Sequence, residues 1–382
     1  MAPQFLYISG QIPVVIPGDS VWSWGKNDNF QLGRDPVGNA AINLENFDDA
    51  VLDLECGSSY SYIIKADGTL WAAGLTGAAY TFGDGSTSST GNAFVQIGTA
   101  TDWVKIGGKR STHHFIKSDG RLFGHGENSN LELGNGASTD TNTIALIDSG
   151  NWIDVAADVR GGVGIKSSGR LYAWGRGEDP YAVGDGSDVD RSSPVQLGVA
   201  TTWVKCVMGF SARFALRSNG DLYAWGRQVG GELGLGLGTG AATVTTPTLI
   251  GTGYADIDAG SFSVIATKTD GTLYEWGFTD RLGVSGFYDT PQQIGTDTDW
   301  VNCFVGVHTQ STNRWLAAAT KDTEQLYMWG YNFHRQMAIA DTTSGLRHDV
   351  TLVQDGIQNF TWSKVAISEA HAIALTKQEN PP

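Results

Sequence analysis

Leu222-Tyr223-Ala224-Trp225-Gly226 decides the fold, because the same five-residue pattern recurs along the chain. An apolar residue, an aromatic, any residue, usually Trp, then Gly appears as Val21-Trp22-Ser23-Trp24-Gly25, Leu70-Trp71-Ala72-Ala73-Gly74 and Leu122-Phe123-Gly124-His125-Gly126. It returns as Leu171-Tyr172-Ala173-Trp174-Gly175, Leu273-Tyr274-Glu275-Trp276-Gly277 and Leu326-Tyr327-Met328-Trp329-Gly330. The closing glycines are 49, 52, 49, 51, 51 and 53 residues apart. Seven copies at a fixed period of this size predict a propeller or a solenoid.

Other pieces repeat in phase. Before most copies stands a turn dipeptide: Asp67-Gly68, Asp119-Gly120, Ser168-Gly169, Asn219-Gly220 or Asp270-Gly271. Gly, Asn and Asp accept the positive φ that tight hairpins require. Short alternating strands precede the turns, at Tyr62 to Lys65, Phe115 to Lys117, Phe214 to Arg217 and Val264 to Lys268. Further back are strands opened by an aromatic, as in Trp103-Val104-Lys105-Ile106 and Trp203-Val204-Lys205-Cys206. A brief apolar piece ending in Gly comes before that, as in Pro194-Val195-Gln196-Leu197-Gly198. Each unit thus holds about four strands and no helical period, which predicts an all-β, seven-bladed β-propeller.

The chain ends distinguish a ring from an open array. The first copy, Val21 to Gly25, has no strand triplet before it, and the triplet at Val350 to Val353, Trp362 to Ile367 and Ala372 to Thr376 has no copy after it. The N-terminal strand 21–25 is expected to complete the C-terminal blade and so remove the ragged ends. The expected organisation is an apolar arm at 1–17, one propeller at 18–376 and a tail at 377–382.

Composition agrees. The 382 residues include 51 Gly and 13 Trp, which suits many turns and repeated aromatic anchors. The formal net charge of −15 argues against phosphate backbones and anionic membranes as partners. Cys56, Cys206 and Cys303 lie in apolar strand-like runs and are expected as buried free thiols. No stretch of eighteen apolar residues exists, and Met1 to Ile16 lacks the basic start of a secretory signal.

The stretch Trp24-Gly25-Lys26-Asn27-Asp28-Asn29-Phe30-Gln31-Leu32-Gly33 resembles the repeat of the regulator-of-chromosome-condensation (RCC1-like) family. Glu132-Leu133-Gly134 and Glu232-Leu233-Gly234 keep the Leu-Gly piece, and His114 and His371 keep a histidine that other copies lack. The resemblance spans about 18–376 and implies a seven-bladed ring. The Asp102-Trp103-Val104 and Asp299-Trp300-Val301 openings look like bacterial and bacteriophage members. That likeness implies a non-catalytic structural or protein-binding module, specifically a virion component contacting other virion subunits, neighbouring copies or a host-surface glycan. The founding members' role implies the alternative, guanine-nucleotide exchange on a small GTPase. A secreted inhibitor or lectin-like protein is a third reading.

Trp24, Gly25, Gly74, Gly126, Trp174, Gly175, Trp225, Gly226, Trp276, Gly277, Trp329 and Gly330 are expected as structural anchors of the repeat. Gly83-Asp84-Gly85-Ser86 and Gly184-Asp185-Gly186-Ser187 read as turns, since each offers one carboxylate and calcium takes about six to eight oxygens. Gly234 to Gly240 lacks the βαβ setting of a nucleotide loop. His113 and His114 are neighbours on a strand and point to opposite faces. No catalytic, metal or cofactor residue is assigned. The segments outside the repeat are the candidate contacts: Phe5, Leu6, Tyr7, Ile8, Ile12 and Val14 on the arm, and His334, Arg335, Arg347 and His348 in the irregular stretch Tyr331 to Asp349.

Overall fold

The computed structural model describes residues 20–33, 40–45, 50–57, 59–75, 82–86, 93–178, 182–279, 286–306, 315–332, 334, 337, 346–353, 361–368 and 371–377. They form twenty-eight strands in seven four-stranded antiparallel sheets, with no helix among the described residues. Numbered along the chain, blades 1 to 6 begin at Val51, Trp103, Trp152, Trp203, Tyr254 and Trp300, and in blade 4 the strands Trp203–Met208, Ala212–Arg217, Leu222–Gln228 and Ala242–Gly251 pair in sequence order. The first strand of each blade packs on the first strands of its neighbours, so these strands line the ring axis and the fourth strands form the rim. The second strand is covered by a blade on either side. Ala212 to Leu216 are therefore buried without alternation, which explains the apolar runs in the sequence.

The anchors work between blades. Trp174, Trp225 and Trp276 are fully buried, and each indole N–H donates to a loop carbonyl of the preceding blade: Glu132 at 2.7 Å, Val183 at 2.7 Å and Glu232 at 2.9 Å. Gly175 has φ 108°, and a Cβ there would sit 2.3 Å from the Arg160 carbonyl oxygen, so only glycine lets the third strand end against that loop. At the opposite edge the turn glycine of one blade accepts the N–H of the next blade's opening aromatic, Trp152 to Gly120 at 2.8 Å and Trp203 to Gly169 at 3.1 Å. In blade 6 the non-glycine Glu324, at φ 60°, takes this role for Trp362.

Blade 7 is built from both parts of the chain: Thr361–Ile367, His371–Lys377, Ser20–Gly25 and Ala40–Glu45. Trp22 pairs with Ala374 and Gly25 with His371, where every other blade has a covalent turn between its second and third strands. The Trp22 indole donates to Thr376 Oγ1 at 3.0 Å, and Trp22 and Trp24 pack on Trp362 at 6.2 and 5.9 Å between ring centroids. The expected closure is thus observed. The fourth strand of blade 6 starts at Leu346, four residues before the apolar signal at Val350. Residues 1–17, including Phe5, Leu6, Tyr7, Ile8, Ile12 and Val14, lie outside the described residues.

Candidate functional site

Every inner strand shifts register within its first four residues, for example between Trp152 and Asp154 and between Trp203 and Lys205. Such a bulge re-aims the following side chain. The re-aimed residues are Asp53, Lys105, Asp154, Lys205, Asp256, Asn302 and Lys364, in ring order. Each Lys pairs with the Asp of the next blade: Lys364 with Asp53, Lys105 with Asp154 at 2.8 Å and Lys205 with Asp256 at 2.5 Å. The second carboxylate oxygen then accepts a main-chain N–H one blade further on, from Ile106 at 2.7 Å, Cys206 at 2.8 Å and Cys303 at 3.2 Å. Strict charge alternation cannot close on seven positions. The neutral Asn302 stands where it fails, bonded to Thr320 Oγ1 at 3.0 Å within its own blade. The seam between blades 6 and 7 therefore has no such latch among the described residues. Lys105, Lys205 and Lys364 keep 27, 35 and 33% of their side-chain surface, so the axis is a solvent-lined channel.

One end of that channel is crossed by side chains. We call this the loop face, because the loops after the inner and third strands gather there. Lys109 of blade 2 reaches across to blade 5, donating to Asp258 at 3.3 Å and to the Ala259 carbonyl. Arg110 donates to Asp158 at 2.5 Å and to Ser261 Oγ at 2.6 Å. The Arg110 and Arg160 guanidinium carbons lie 5.1 and 5.9 Å from the centroid of the Phe210 ring, which itself meets Phe262 at 5.7 Å. Phe210, Phe262, Arg110 and Arg160 are half-buried. Below them Glu55 faces the channel, and burial pushes its carboxyl up to about 7 even though Lys109 and Lys364 pull it down. This end can offer aromatic surface and positive charge together, on a chain whose formal net charge is −15.

The opposite, turn face carries cations too, in six of the blades among the described residues, each over aromatics of its own blade. Lys166 lies 4.8 Å from both the Trp152 and Tyr172 rings, and Arg217 lies 4.5 Å from both the Trp203 and Tyr223 rings. Lys65, Lys117, Lys268 and Lys321 repeat the arrangement in their blades. The aromatics that open the inner strands are packing elements of the ring, as the repeat suggested.

Among the described side chains, no expected contact residue joins the loop-face cluster. His334 is half-buried and has a partner; Arg347 and His348 lie on the backbone of the outer strand of blade 6; Arg335 lies outside the described residues. His113 and His114 do point apart. His113 meets Tyr60 and His125 at 4.8 and 5.0 Å, whereas His114 meets Trp174 at 5.4 Å. His125 was unexpected in this group, and its Nε2 lies 3.2 Å from Tyr62 Oη. Burial, the neighbouring imidazoles adding to it, holds His113 well below the usual range and His125 at about 3, and burial alone holds His114 at about 4. His371, the other retained histidine, lies between Ser61 Oγ at 3.1 Å and Ser368 Oγ at 2.7 Å, at the seam beside blade 1. The three cysteines are buried free thiols. Asp185 is held by Ser187 and Arg191, and Asp84 by Ser86, as turn residues are. Sequence reading passed over Arg110, Arg160 and Phe210 because they sit inside the repeat. The available signal was that their loop position, just past the inner strand, differs from blade to blade.

No protein-family model matches the chain. The chain is 27% identical over 377 residues to the human E3 ubiquitin-protein ligase HERC2, which covers 93% of this chain and 8% of that protein. It is 25% identical to the human RCC1-like G exchanging factor-like protein over 259 residues, 58% of this chain and 52% of that one. The chain thus spans about half of the second relative and under a tenth of the first. Among solved structures, Prp20p of Saccharomyces cerevisiae superimposes with a TM-score of 0.80 at 16% identity, covering 95% of this chain and 92% of that chain; Prp20p is described with binding properties to Gsp1p and histones. No helix among the described residues is long and apolar enough to cross a membrane.

Proposed function

We propose that this chain, an RCC1-like repeat β-propeller by sequence likeness and by fold, is a non-catalytic protein-binding module that receives its partner on the loop face. One observation carries this reading. The cluster of Arg110, Arg160, Phe210 and Phe262 does not repeat from blade to blade, and it combines arginine with aromatic rings, residue types enriched at protein interfaces. The relatives support a protein partner, and the exchanging-factor name and Prp20p's Gsp1p favour nucleotide exchange on a small GTPase over the virion reading. Contacts to virion subunits or a host glycan gain nothing from these likenesses.

The test is the release of a fluorescent guanine nucleotide from Gsp1p in the presence of the full chain, beside direct binding. Binding that Phe210→Asp abolishes supports the loop face, and accelerated release supports the exchange form. Binding that survives Phe210→Asp unchanged contradicts the reading.

A further inference from the structure

The carboxylates along the channel and at its mouth are held by cations: Asp53 by Lys364, Asp154 by Lys105, Asp256 by Lys205, Asp258 by Lys109 and Asp158 by Arg110. Glu55 is the exception among the described residues. Its Oε1 accepts the Cys56 main-chain N–H at 3.1 Å, and it forms no ion pair there. Several elements pack around its carboxyl. Lys109 comes from the loop after the inner strand of blade 2, Lys364 from blade 7 and Asp258 from blade 5. Burial raises Glu55 to about 7, the two lysines draw it down, and Asp258 pushes it up. Burial above all holds the neighbouring Cys56 thiol and Tyr60 hydroxyl well above their ordinary values, so both stay neutral.

Lys109 links Glu55 to the loop face. Its ammonium crosses the channel mouth from blade 2 to blade 5, where it donates to Asp258 at 3.3 Å and to the Ala259 carbonyl at 2.5 Å. Arg110, the next residue, carries the same loop onto Asp158, Ser261 Oγ and the Phe210 ring. Arg110 has φ 62°, a left-handed conformation that costs a non-glycine residue energy. The Lys109 N–H donates to the Ala157 carbonyl at 2.9 Å, and the Arg110 carbonyl accepts the Tyr60 hydroxyl at 2.5 Å. A strained segment of this kind stays in place only while its surroundings hold it.

We infer that Lys109 is a pH-linked strap over the channel mouth, with Glu55 as the proton-binding group that sets its grip. Lys109 favours the Glu55 anion, and coupling between two groups is reciprocal, so the anion holds the Lys109 ammonium in turn. The repulsion between Glu55 and Asp258 opposes this, but Lys109 is the larger influence. Above about 7 the ammonium is held by Glu55 and Asp258 together. Below it Glu55 takes up a proton, the strap keeps only Asp258 and the Ala259 carbonyl, and the strained loop 108–111 opens more readily. Access of a partner to Phe210 then follows pH. That consequence rests on the loop face being the binding face; the strap itself does not. His114, His125 and His371, at about 4, 3 and 3, lie below this window, and His113 is lowered as well.

The experiment is hydrogen exchange of the full chain without a partner, at about pH 6 and about pH 8, either side of the Glu55 value of about 7. After correction for the intrinsic pH dependence of exchange, the amides of 108–111 and 258–261 should be protected about fivefold more at the higher pH, the lower end of ordinary coupling between two groups. Glu55→Gln keeps the shape of the side chain and should abolish the difference. Lys109→Met should leave both segments equally open at the two pH values. The turn at 218–221 should not respond. Equal protection of the wild-type chain at both pH values overturns the proposal, as does an undiminished difference in Glu55→Gln. Should Glu55→Gln fail to fold, Lys109→Met still decides, since a difference that survives it belongs to another group. Gsp1p binding at the two pH values is a separate readout. Absence of binding at both, with the exchange difference intact, contradicts the loop-face reading and supports the strap.

Discussion

The two faces of the ring use the same residue types to different ends. On the turn face, six of the blades place a cation over aromatics of their own blade, as Arg217 lies over Trp203 and Tyr223. On the loop face, Arg110, Arg160 and Arg176 come from two blades, with Phe210 of a third blade beside them. A feature that recurs in every blade answers a need that every blade has, which is packing on its neighbours. A feature confined to a few blades has no such explanation, and under the proposed function it is where a partner would bind.

Both faces depend on the closed ring, so the largest effect should come from opening it. Deleting residues 1–26 removes the strand Ser20–Gly25 with Trp22 and Trp24. It exposes the edge of His371–Lys377. Loss of the cooperative melting transition is expected by circular dichroism. A truncated chain that stayed soluble with an unchanged Tm would show that blade 7 does not depend on this strand.

Acid should separate the faces. His114, His125 and His371 have values near 4, 3 and 3, below the ordinary 6.5, and His113 is lowered as well. Their neutral forms are favoured in the fold. The stability they contribute is present above 6.5 and is lost as pH falls toward 4, on the order of several kcal/mol together. Glu55 acts with the opposite sign, since its contribution fades as pH rises through about 7. His113, His125 and His371 sit at the loop-face ends of their strands, so hydrogen exchange at pH 4.5 should open the loop face first. Simultaneous opening of the turn-face hairpins would contradict that order.

The channel offers an internal control. Asp154→Ala removes the partner of Lys105 and the acceptor of the Cys206 N–H, and should cost about 2–3 kcal/mol in denaturant melts. Asn302→Ala, at the seam without a latch, should cost under about 1 kcal/mol. Equal losses would mean that the Asp–Lys alternation is not what ties the inner strands together.

The ring itself was legible in the sequence. The period near 50, the orphan strand at Val21 to Gly25 and the turn glycines at positions such as Gly120 and Gly169 each state a local need that the chain meets in the same way every time. The channel ladder was written there too, as the third residue of the first six inner strands, from Asp53 to Asn302, and the fourth of the seventh, Lys364. It stayed hidden because it acquires meaning only when the strands are placed side by side around an axis. The loop-face cluster was not legible. Arg110, Arg160 and Phe210 are about fifty residues apart in sequence, and only the stacking of successive blades brings both guanidinium groups within 6 Å of the Phe210 ring. The sequence sets apart instead the segments outside the repeat, such as the stretch with His334 and the arm at 1–17.

A smaller effect sharpens the contrast between the faces. Arg217→Met keeps the aliphatic packing over Trp203 and Tyr223 and loses the cation–π contact, so it should cost about 0.5–1 kcal/mol by thermal melt and leave partner binding intact. Arg160→Met should do the reverse, with a nearly unchanged Tm and weakened binding.

The most direct measurement is the hydrogen-exchange footprint of the full chain with and without saturating Gsp1p. Protection is expected in the loops at 108–111, 159–162, 209–213 and 260–262, and none is expected in the turns at 118–121, 168–170, 218–221 and 269–272. Protection of those turns with the loops unchanged would contradict the assignment of the loop face as the binding face.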